Sequence, residues 1–221
     1  MTTHFKFDAQ RAIPSPVMKA CRVHQFGGPE AILFEDVERP QPGPGEALIR
    51  VKAAGVGPWD AWVRAGKSAL PQPLPLTLGA DVSGVVEEVG PDASAWKSGD
   101  AIFGVTNKSF TGAQAEFAIV STAMIAAKPE RLTYVDAAAA PVVAVTAWQA
   151  LFDEAKLVGG DTVLIHGGAG GVGAFAVQLA RWAGLSAIDG QRARSVLRSQ
   201  PGRRQGSRLR DRSLRGCGAW R

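Results

Sequence analysis

Three glycines at GxGxxG spacing carry the clearest chemistry in this sequence. Gly168, Gly170 and Gly173 follow the apolar run TVLI and open the helix-like stretch VGAFAVQLARWAG. In this context the first glycine permits a tight turn, the second lets the backbone approach a pyrophosphate, and the third allows a helix to pack closely on a strand. Amides at the helix start can then donate to phosphate oxygens. The pattern predicts a dinucleotide site rather than a turn that merely joins two elements; its cofactor-binding residues are Gly168, Ala169, Gly170, Gly171, Val172 and Gly173.

An acidic residue that binds the ribose should follow on a second parallel strand, about 20 residues after the first glycine. Asp189 has the right type and nearly this spacing. The strand that should carry it is poorly marked, because only Leu185, Ala187 and Ile188 are apolar before DGQRARS begins. The sequence therefore predicts no second strand and favours coincidence over a ribose ligand at Asp189.

The elements around the motif indicate two kinds of domain. From Met18 to about Ser121, short alternating runs such as ALIRVKAAGVG, DVSGVVEEVG, AIFGV and AQAEFAIVS are broken by Gly and Pro, which is typical of a small β-barrel. A short helix is predicted to start at Asp60, with its carboxylate capping the first amides. Around residue 130 the pattern becomes helical, and the helix after the glycine loop carries one apolar stripe: Val172, Phe175, Ala176, Leu179, Ala180 and Ala183.

Composition and charge exclude several classes of protein. The net charge of +5 arises in the last 36 residues, where ten Arg face two Asp, whereas residues 1–185 hold 15 Lys and Arg against 18 Asp and Glu. Residues 1–185 therefore have no excess of positive charge with which to bind nucleic acid. Cys21 and Cys217 form no zinc-ligand spacing, which favours a cytoplasmic protein without disulfides. The apolar run 137–152 is too short for a bilayer and is interpreted as buried helix. Residues 1–17 lack a secretory pattern and are taken as an extension.

Several segments in order carry a family resemblance. MKACRVHQFGGPE, GPGEALIRVKAAGVGPWDAWVRAGK, LPLTLGADVSGVVEEVG, GAQAEFAIV, PVVAVTAWQAL and DTVLIHGGAGGVGAFAVQLARWAG together resemble the quinone oxidoreductase (ζ-crystallin-like) branch of the medium-chain dehydrogenase/reductase superfamily. The resemblance implies an α/β plus β fold, with a GroES-like β-barrel over 18–130 followed by an incomplete Rossmann domain over 131–185. It also implies hydride transfer from NADPH, rather than NADH, to a quinone or an α,β-unsaturated carbonyl, in a family that often forms homodimers.

The same resemblance bears on metal and substrate. Zinc-dependent relatives carry a ligand Cys where Gly57 stands and a His-Glu pair where Ala80 and Asp81 stand, so the pattern implies a zinc-free reductase. Many zinc-free members have Asn at the Gly57 position, a polar contact that is missing here. Trp59 and Trp62 are candidates for the pocket wall, although aromatic residues serve as plain core at least as often.

Other residues are assigned with their alternatives. Thr146 is implied to lie near the nicotinamide, the alternative being a hydroxyl satisfied by its own helix. Asp60 is interpreted as a cap rather than an acid, and His166 as a packed residue rather than a proton donor. No catalytic general acid is assigned, and proton delivery is expected from water.

The stretch 186–221 is rich in Arg, lacks Lys and has no hydrophobic period, so it is expected to be disordered. Because the resemblance stops near Leu185, we hypothesise truncation or a reading-frame shift there, with weak nucleotide binding, little turnover and a doubtful homodimer. The alternatives are an arginine-rich arm for RNA, DNA or acidic membranes, and a non-catalytic barrel fragment that acts as an interaction module. We expect neither a nucleic-acid nor a membrane partner.

Overall fold

A computed structural model of the chain describes residues 17–189, and these fall into two compact units that divide between Ala139 and Ala140. The boundary lies nine residues later than the one expected after residue 130. The short helix α2, Tyr134–Ala138, belongs to the first unit because it packs on barrel strands, where the Ser83 hydroxyl donates to the Tyr134 carbonyl at 2.6 Å. The expected extension lies outside the described residues, except for Val17, which begins the first strand.

The first unit is built from antiparallel strands, as its alternating sequence predicts. Five strands form a sheet in the order β7-β3-β5-β6-β8, and three form a second sheet in the order β2-β1-β4. The strands are β1 Val17–Val23, β2 Ile32–Glu38, β3 Glu46–Ala54, β4 Leu76–Thr77, β5 Asp81–Val89, β6 Ala101–Val105, β7 Phe117–Ser121 and β8 Ile125–Ala127.

Fully buried aliphatic residues of the five-stranded sheet form the main core of this unit. Ile49, Val82, Ile102 and Val120 lie on four neighbouring strands and have no exposed surface. Helix α1, Pro58–Arg64, buries Val63 against a second cluster with Val23, Leu76 and Leu78. Burial of such side chains contributes roughly 1.5–3 kcal/mol each, which is enough to hold a small barrel together. Two 3-10 turns, Pro29–Ala31 and Thr122–Met124, join strands of the barrel.

The second unit contains a parallel β-α-β arrangement. Its helices are α3, Pro141–Trp148, and α4, Gly171–Trp182, with a π-helix, Gln149–Glu154, directly after α3. Strand β9, Thr162–Ile165, pairs in parallel with β10, Ser186–Asp189, and α4 connects them. The core includes Ala147, Leu151, Ile165, Val177 and Leu185. Within α4 the buried stripe is shifted from the predicted one, since Val177 is buried and Val172 is 37% exposed.

Strand β10 corrects the expectation that no second strand follows the helix. The chain leaves α4 through Gly184, whose φ is +75°. The Gly184 amide donates to the Arg181 carbonyl and the Leu185 amide to the Ala180 carbonyl, which is the Schellman pattern of helix termination. Leu185 thereby enters the core, and the Ser186 amide donates to the Asp161 carbonyl at 2.8 Å. The turn at Gly184 and the pairing with β9 determine that β10 forms. The low apolar content of the segment therefore gave the wrong prediction.

The apolar run 137–152 is not uniformly buried. Val142 and Ala147 lie in the core, but Val145 is 50% exposed and Trp148 is also exposed. The interpretation as buried helix is therefore wrong for one face of α3 within the described chain. No helix between residues 17 and 189 has the length and apolar character that a membrane span requires.

We expect the end of α4 to depend on glycine at position 184. Because L-residues avoid positive φ, Gly184→Ala should lower the free energy of unfolding by about 1 kcal/mol, and Gly184→Asn by less, since Asn tolerates this conformation better. Urea denaturation followed by circular dichroism would measure both. Equal stability of the three proteins would contradict the assignment of this turn.

Candidate functional site

The glycine loop turns sharply just after β9. Gly167 has φ +76°, and its carbonyl accepts a hydrogen bond from the Gly170 amide at 2.8 Å. The residue that needs left-handed backbone is therefore Gly167, not Gly168, to which the sequence motif assigned the tight turn. Gly168 is buried, whereas Ala169, Gly170, Gly171 and Val172 are exposed. The loop thus closes on itself and leaves its tip accessible.

Gly173 allows no side chain in this loop. A Cβ at position 173 would clash with the Gly167 carbonyl oxygen and lie 2.7 Å from its carbon and 2.9 Å from the Gly168 Cα. The motif predicts close packing of helix on strand here, but the contact is with the turn that follows the strand. The first turn of α4 consequently packs directly against the backbone of the loop.

The N-terminus of α4 offers amide donors at the exposed tip of the loop. Gly170 is the N-cap, and no side chain accepts from the first-turn amides. The Ala174 amide donates to the Gly170 carbonyl at 2.8 Å, so the preceding amides of Gly171, Val172 and Gly173 have no carbonyl within the helix to bind. Gly171 and Val172 are exposed. Free amides, a positive dipole end and little side-chain bulk fit the phosphates of a dinucleotide.

Asp189 ends β10 at the same edge of the parallel pair. It pairs in register with Ile165, which is the last residue of β9 before the glycine loop. Ligands of open parallel sheets bind beyond the carboxyl ends of the strands. The strand that the sequence did not predict therefore places the backbone of Asp189 at the carboxyl end of the parallel pair.

Thr146 and His166 have different environments from those expected. The Thr146 hydroxyl donates to the Val142 carbonyl at 2.7 Å, as in the alternative in which its own helix satisfies it, but the residue is exposed and its oxygen can still accept. It lies one turn beyond Val143, whose Cγ1 would be 3.2 Å from a Cβ at Gly171. Helix α3 thus runs beside the loop. His166 is exposed, so its interpretation as a packed residue is wrong.

In the barrel unit, Asp60 joins two loops. Its carboxylate accepts from the Gly57 amide at 2.7 Å and from the Gly79 amide at 3.1 Å, and the residue is 5% exposed. Helix α1 begins at Pro58 with Gly57 as N-cap, so Asp60 is the third residue of the helix rather than its start. Burial raises the pKa of Asp60 above 3.8, against the lowering effect of the two amides. Neither bond was predicted, because Asp60 was expected to cap the amides that follow it; the Gly57-to-Asp60 spacing of a capping box could have signalled the first bond.

Trp59 covers Gly57. A Cβ at position 57 would clash with the indole. The Asn that many zinc-free members of the resembling family carry at this position therefore has no room while the Trp59 ring lies where it does. The Trp59 indole Nε1 is buried and has no hydrogen-bond partner in the part of the chain that the structure describes. Trp62 is 57% exposed. The structure thus brings Gly57 and Trp59 into contact but leaves Trp62 at the surface.

Comparison with known proteins finds a family model for part of the first unit and relatives that match most of the chain. The sequence profile of the alcohol dehydrogenase GroES-like domain matches residues 43–130. Quinone oxidoreductases from Pongo abelii and Homo sapiens are 41% and 40% identical over 173 residues, which is 78% of this chain and 52% of each relative. The chain is a homologue of the quinone oxidoreductases. It spans about half the length of these curated relatives.

Solved structures agree with this homology to quinone oxidoreductases. The quinone oxidoreductase from Coxiella burnetii superposes with a TM-score of 0.71 at 36% identity, covering 83% of this chain and 60% of that one. A mycobacterial protein in complex with NADPH gives a TM-score of 0.69 at 38% identity, over 78% of this chain and 52% of that one. These matches confirm the expected fold class, a GroES-like domain followed by part of a Rossmann domain.

The positions that correspond to zinc ligands in other dehydrogenases offer a poor donor set in this quinone oxidoreductase homologue. Gly57 and Ala80 have no side-chain donor atoms, and Asp81 is buried. Within residues 17–189, no cluster of three or more His, Cys, Asp or Glu side chains is arranged to hold a metal ion. Zinc-independent chemistry therefore stays a prediction that rests on the sequence pattern.

We expect Gly57 and Trp59 to be energetically coupled. Gly57→Ala should lower the free energy of unfolding by about 1–3 kcal/mol, because its methyl group must displace the indole. In a Trp59→Ala background the same change should cost much less, since the ring is gone. A double-mutant cycle by urea denaturation measures the coupling energy, and additive effects would contradict the packing described here.

Asp60 should make stability fall with rising pH. Its pKa is raised in the folded state, so its contribution is fully present below the unfolded value of 3.8 and is lost as pH rises through the folded pKa. Asp60→Asn cannot ionise and lacks this contribution. The stability of the wild-type chain relative to Asp60→Asn should therefore shrink in urea denaturation as the pH rises from below 3.8 through the folded pKa. A difference that grows over this range would show the opposite shift.

Proposed function

We propose that this chain carries the parts of an NADPH-dependent reductase of quinones or α,β-unsaturated carbonyls that works without zinc in the cytoplasm. The observation that carries the proposal is the glycine loop, where Gly173 is forced to be glycine and exposed first-turn amides of α4 are left to bind phosphate. The sequence relatives are named quinone oxidoreductase, and one structural neighbour holds NADPH. Free Cys21 is compatible with a reducing compartment.

The described residues fit NADPH at three places. The amides of 171–173 would bind the pyrophosphate, the exposed Thr146 oxygen would accept a hydrogen bond from the nicotinamide, and Asp189 would lie near the adenosine ribose. When bound, the cofactor supplies hydride to the substrate. An acid near the ribose favours the 2′-hydroxyl of NADH over the 2′-phosphate of NADPH. Asp189 therefore argues against the NADPH preference that the relatives support, so both cofactors belong in the test.

No barrel side chain among the candidates acts as a general acid in this proposal. The Asp60 carboxylate is engaged by two backbone amides and orders the loops at Gly57 and Gly79. Gly57 offers no side chain to the substrate. We infer that rate enhancement comes from holding hydride donor and acceptor together, and that the proton comes from water.

We also infer that the 221-residue chain binds nucleotide weakly and turns over slowly. In the described part of the second unit the parallel sheet has two strands, whereas a full Rossmann domain has about six. Leu164 on β9 is 54% exposed and Trp182 on α4 is 75% exposed. A two-stranded sheet with so much exposed apolar surface gives the glycine loop little rigid support. Nucleotide binding must therefore also supply the free energy that orders the loop, which lowers the affinity.

The second candidate is a non-catalytic barrel that serves as an interaction module. It is favoured by one observation, namely that the barrel unit buries a core of its own, including Ile49, Val82, Ile102 and Val120, without using residues beyond 139. A fold with its own core can persist when the nucleotide site does not function.

Calorimetric titration of the 221-residue chain with NADPH and with NADH tests both candidates. We expect dissociation constants weaker than about 100 μM, and at least about a tenfold loss for Gly173→Ala, because a methyl group there pushes the helix away from the loop. Gly27→Ala in the barrel provides a matched control. Its Cβ would contact the Ala31 methyl at 3.3 Å, outside the loop, so it should leave binding unchanged.

The outcomes separate the proposals. Micromolar NADPH binding with steady quinone reduction would overturn the inferred weakness and support a working reductase. No binding of either nucleotide by a folded chain would favour the interaction module. Equal binding by Gly173→Ala would contradict the assignment of the glycine loop as the phosphate site.

A further inference from the structure

Helix α3 comes closest to the glycine loop where Val143 faces Gly171. A Cβ at Gly171 would lie 3.2 Å from Cγ1 of Val143 and 3.9 Å from its Cβ, and it would contact no atom of the loop. Carbon atoms in ordinary contact are about 3.5–4.0 Å apart. A methyl group at position 171 would therefore press on α3, whereas one at position 173 clashes with the loop itself.

Val143 cannot easily turn aside from such pressure. A β-branched side chain in a helix takes one χ1 rotamer almost exclusively, so its Cγ1 is fixed relative to the backbone of α3. One turn later, Ala147 has no exposed surface and lies in the core with Val177 and Ala180 of α4. Pressure at Val143 therefore tilts α3 about its buried position at Ala147.

Thr146 moves with α3. It follows Val143 by three residues, so the two side chains lie on the same face of the helix. The Thr146 hydroxyl donates to the Val142 carbonyl at 2.7 Å, which fixes the direction of its oxygen relative to the helix backbone. The residue is exposed, and the oxygen can still accept a hydrogen bond. The angle of α3 therefore decides how far this acceptor lies from the amides of 171–173.

We propose that Val143 is a positioning residue of the nucleotide site, and that the space left by Gly171 sets the distance between the phosphate-binding amides and the Thr146 oxygen. A nucleotide held at both places must span this distance. A small tilt of α3 then removes the nicotinamide contact but leaves the phosphate contacts intact. The inference rests on the proposed function, because it needs a nucleotide that reaches from the loop to Thr146.

Binding of NADPH and of 2′-phospho-ADP-ribose to the 221-residue chain tests the inference, because the second ligand has the same phosphates but no nicotinamide. In calorimetric titration, Gly171→Ala should weaken NADPH about fivefold, the value of one hydrogen bond. The same change should alter the affinity for 2′-phospho-ADP-ribose by less than about twofold, since its phosphates contact only the amides. NADH and ADP-ribose form the corresponding pair without the 2′-phosphate.

A second change should restore what the first removes. In Gly171→Ala, the further change Val143→Ala takes away Cγ1 and leaves the Cβ of residue 143 at the ordinary distance of 3.9 Å. The affinity for NADPH should return to within about twofold of the wild-type value. Gly159→Ala is the matched control, because its Cβ would lie 3.3 Å from the Ala183 carbonyl oxygen in the same unit but would contact neither α3 nor the loop. Both ligands should bind it as they bind the wild type.

Urea denaturation adds a measurement that needs no nucleotide. The effects of Gly171→Ala and Val143→Ala on stability should be non-additive, because the two groups occupy the same space. Additive effects would show that α3 does not touch the loop here and would overturn the inference.

The binding outcomes separate this inference from the proposed function. Equal weakening of NADPH and 2′-phospho-ADP-ribose by Gly171→Ala, unchanged NADPH affinity, or no recovery in the double variant would contradict the role of Val143 and leave the glycine loop as the phosphate site. Absence of binding of all four nucleotides to the wild-type chain would instead overturn the proposed function, and this inference with it.

Discussion

The candidate nucleotide site depends on one close backbone contact, that between the Gly167 carbonyl and Gly173. This contact has no room for a Cβ, so it fixes how near the first turn of α4 comes to the end of β9. The same approach leaves the amides of 171–173 with no helical acceptor, and Gly171 and Val172 are exposed at the tip of the loop. A phosphate group can satisfy several of these donors at once, whereas a side chain at position 173 would push the helix away and separate them. The absence of a side chain at position 173 thus lets the neighbouring amides come together as candidate donors to a phosphate.

An analogous constraint operates in the barrel, where Asp60 and Trp59 determine what Gly57 can be. The carboxylate fixes the Gly57 amide, and the indole occupies the space of any side chain at that position. The polar residue that the family resemblance leads one to expect here is therefore replaced by an apolar surface. Asp60 also binds the Gly79 amide, so the loops at Gly57 and Gly79 keep a fixed separation. Neither Gly57 nor Gly79 offers a catalytic side chain. In the proposed function, such a site would position the substrate and leave the chemistry to the cofactor.

Particular residues show which parts of this structure could be predicted from the sequence. The strands around ALIRV, AIFGV and AQAEFAIVS and the helix after the glycine loop were predicted, because alternation and helical spacing are local signals. Strand β10 was not, since its formation depends on the turn at Gly184 and on pairing with β9, and its own composition is weak. The bonds from the Gly57 and Gly79 amides to Asp60 and the clash between Trp59 and a Cβ at Gly57 also escaped prediction. The bond from Gly79 joins residues that are distant in sequence. The loop glycines were identified as a group, but the sequence gives no φ values, and so the left-handed residue was placed one position too late.

Both described units bury a core and also leave apolar side chains exposed. In the barrel, four aliphatic side chains on neighbouring strands are completely buried and Asp60 is matched by two amides, but Trp62 is 57% exposed and the buried Trp59 Nε1 has no partner among the described residues. In the second unit, Leu164, Val145 and Trp182 are half exposed or more around a sheet of two strands. Tight phosphate binding needs donors that are already held in place, because the free energy spent on ordering a loop during binding lowers the affinity. In the proposed function the glycine loop supplies the donors, and the described two-stranded sheet is the support on which its affinity for nucleotide would depend.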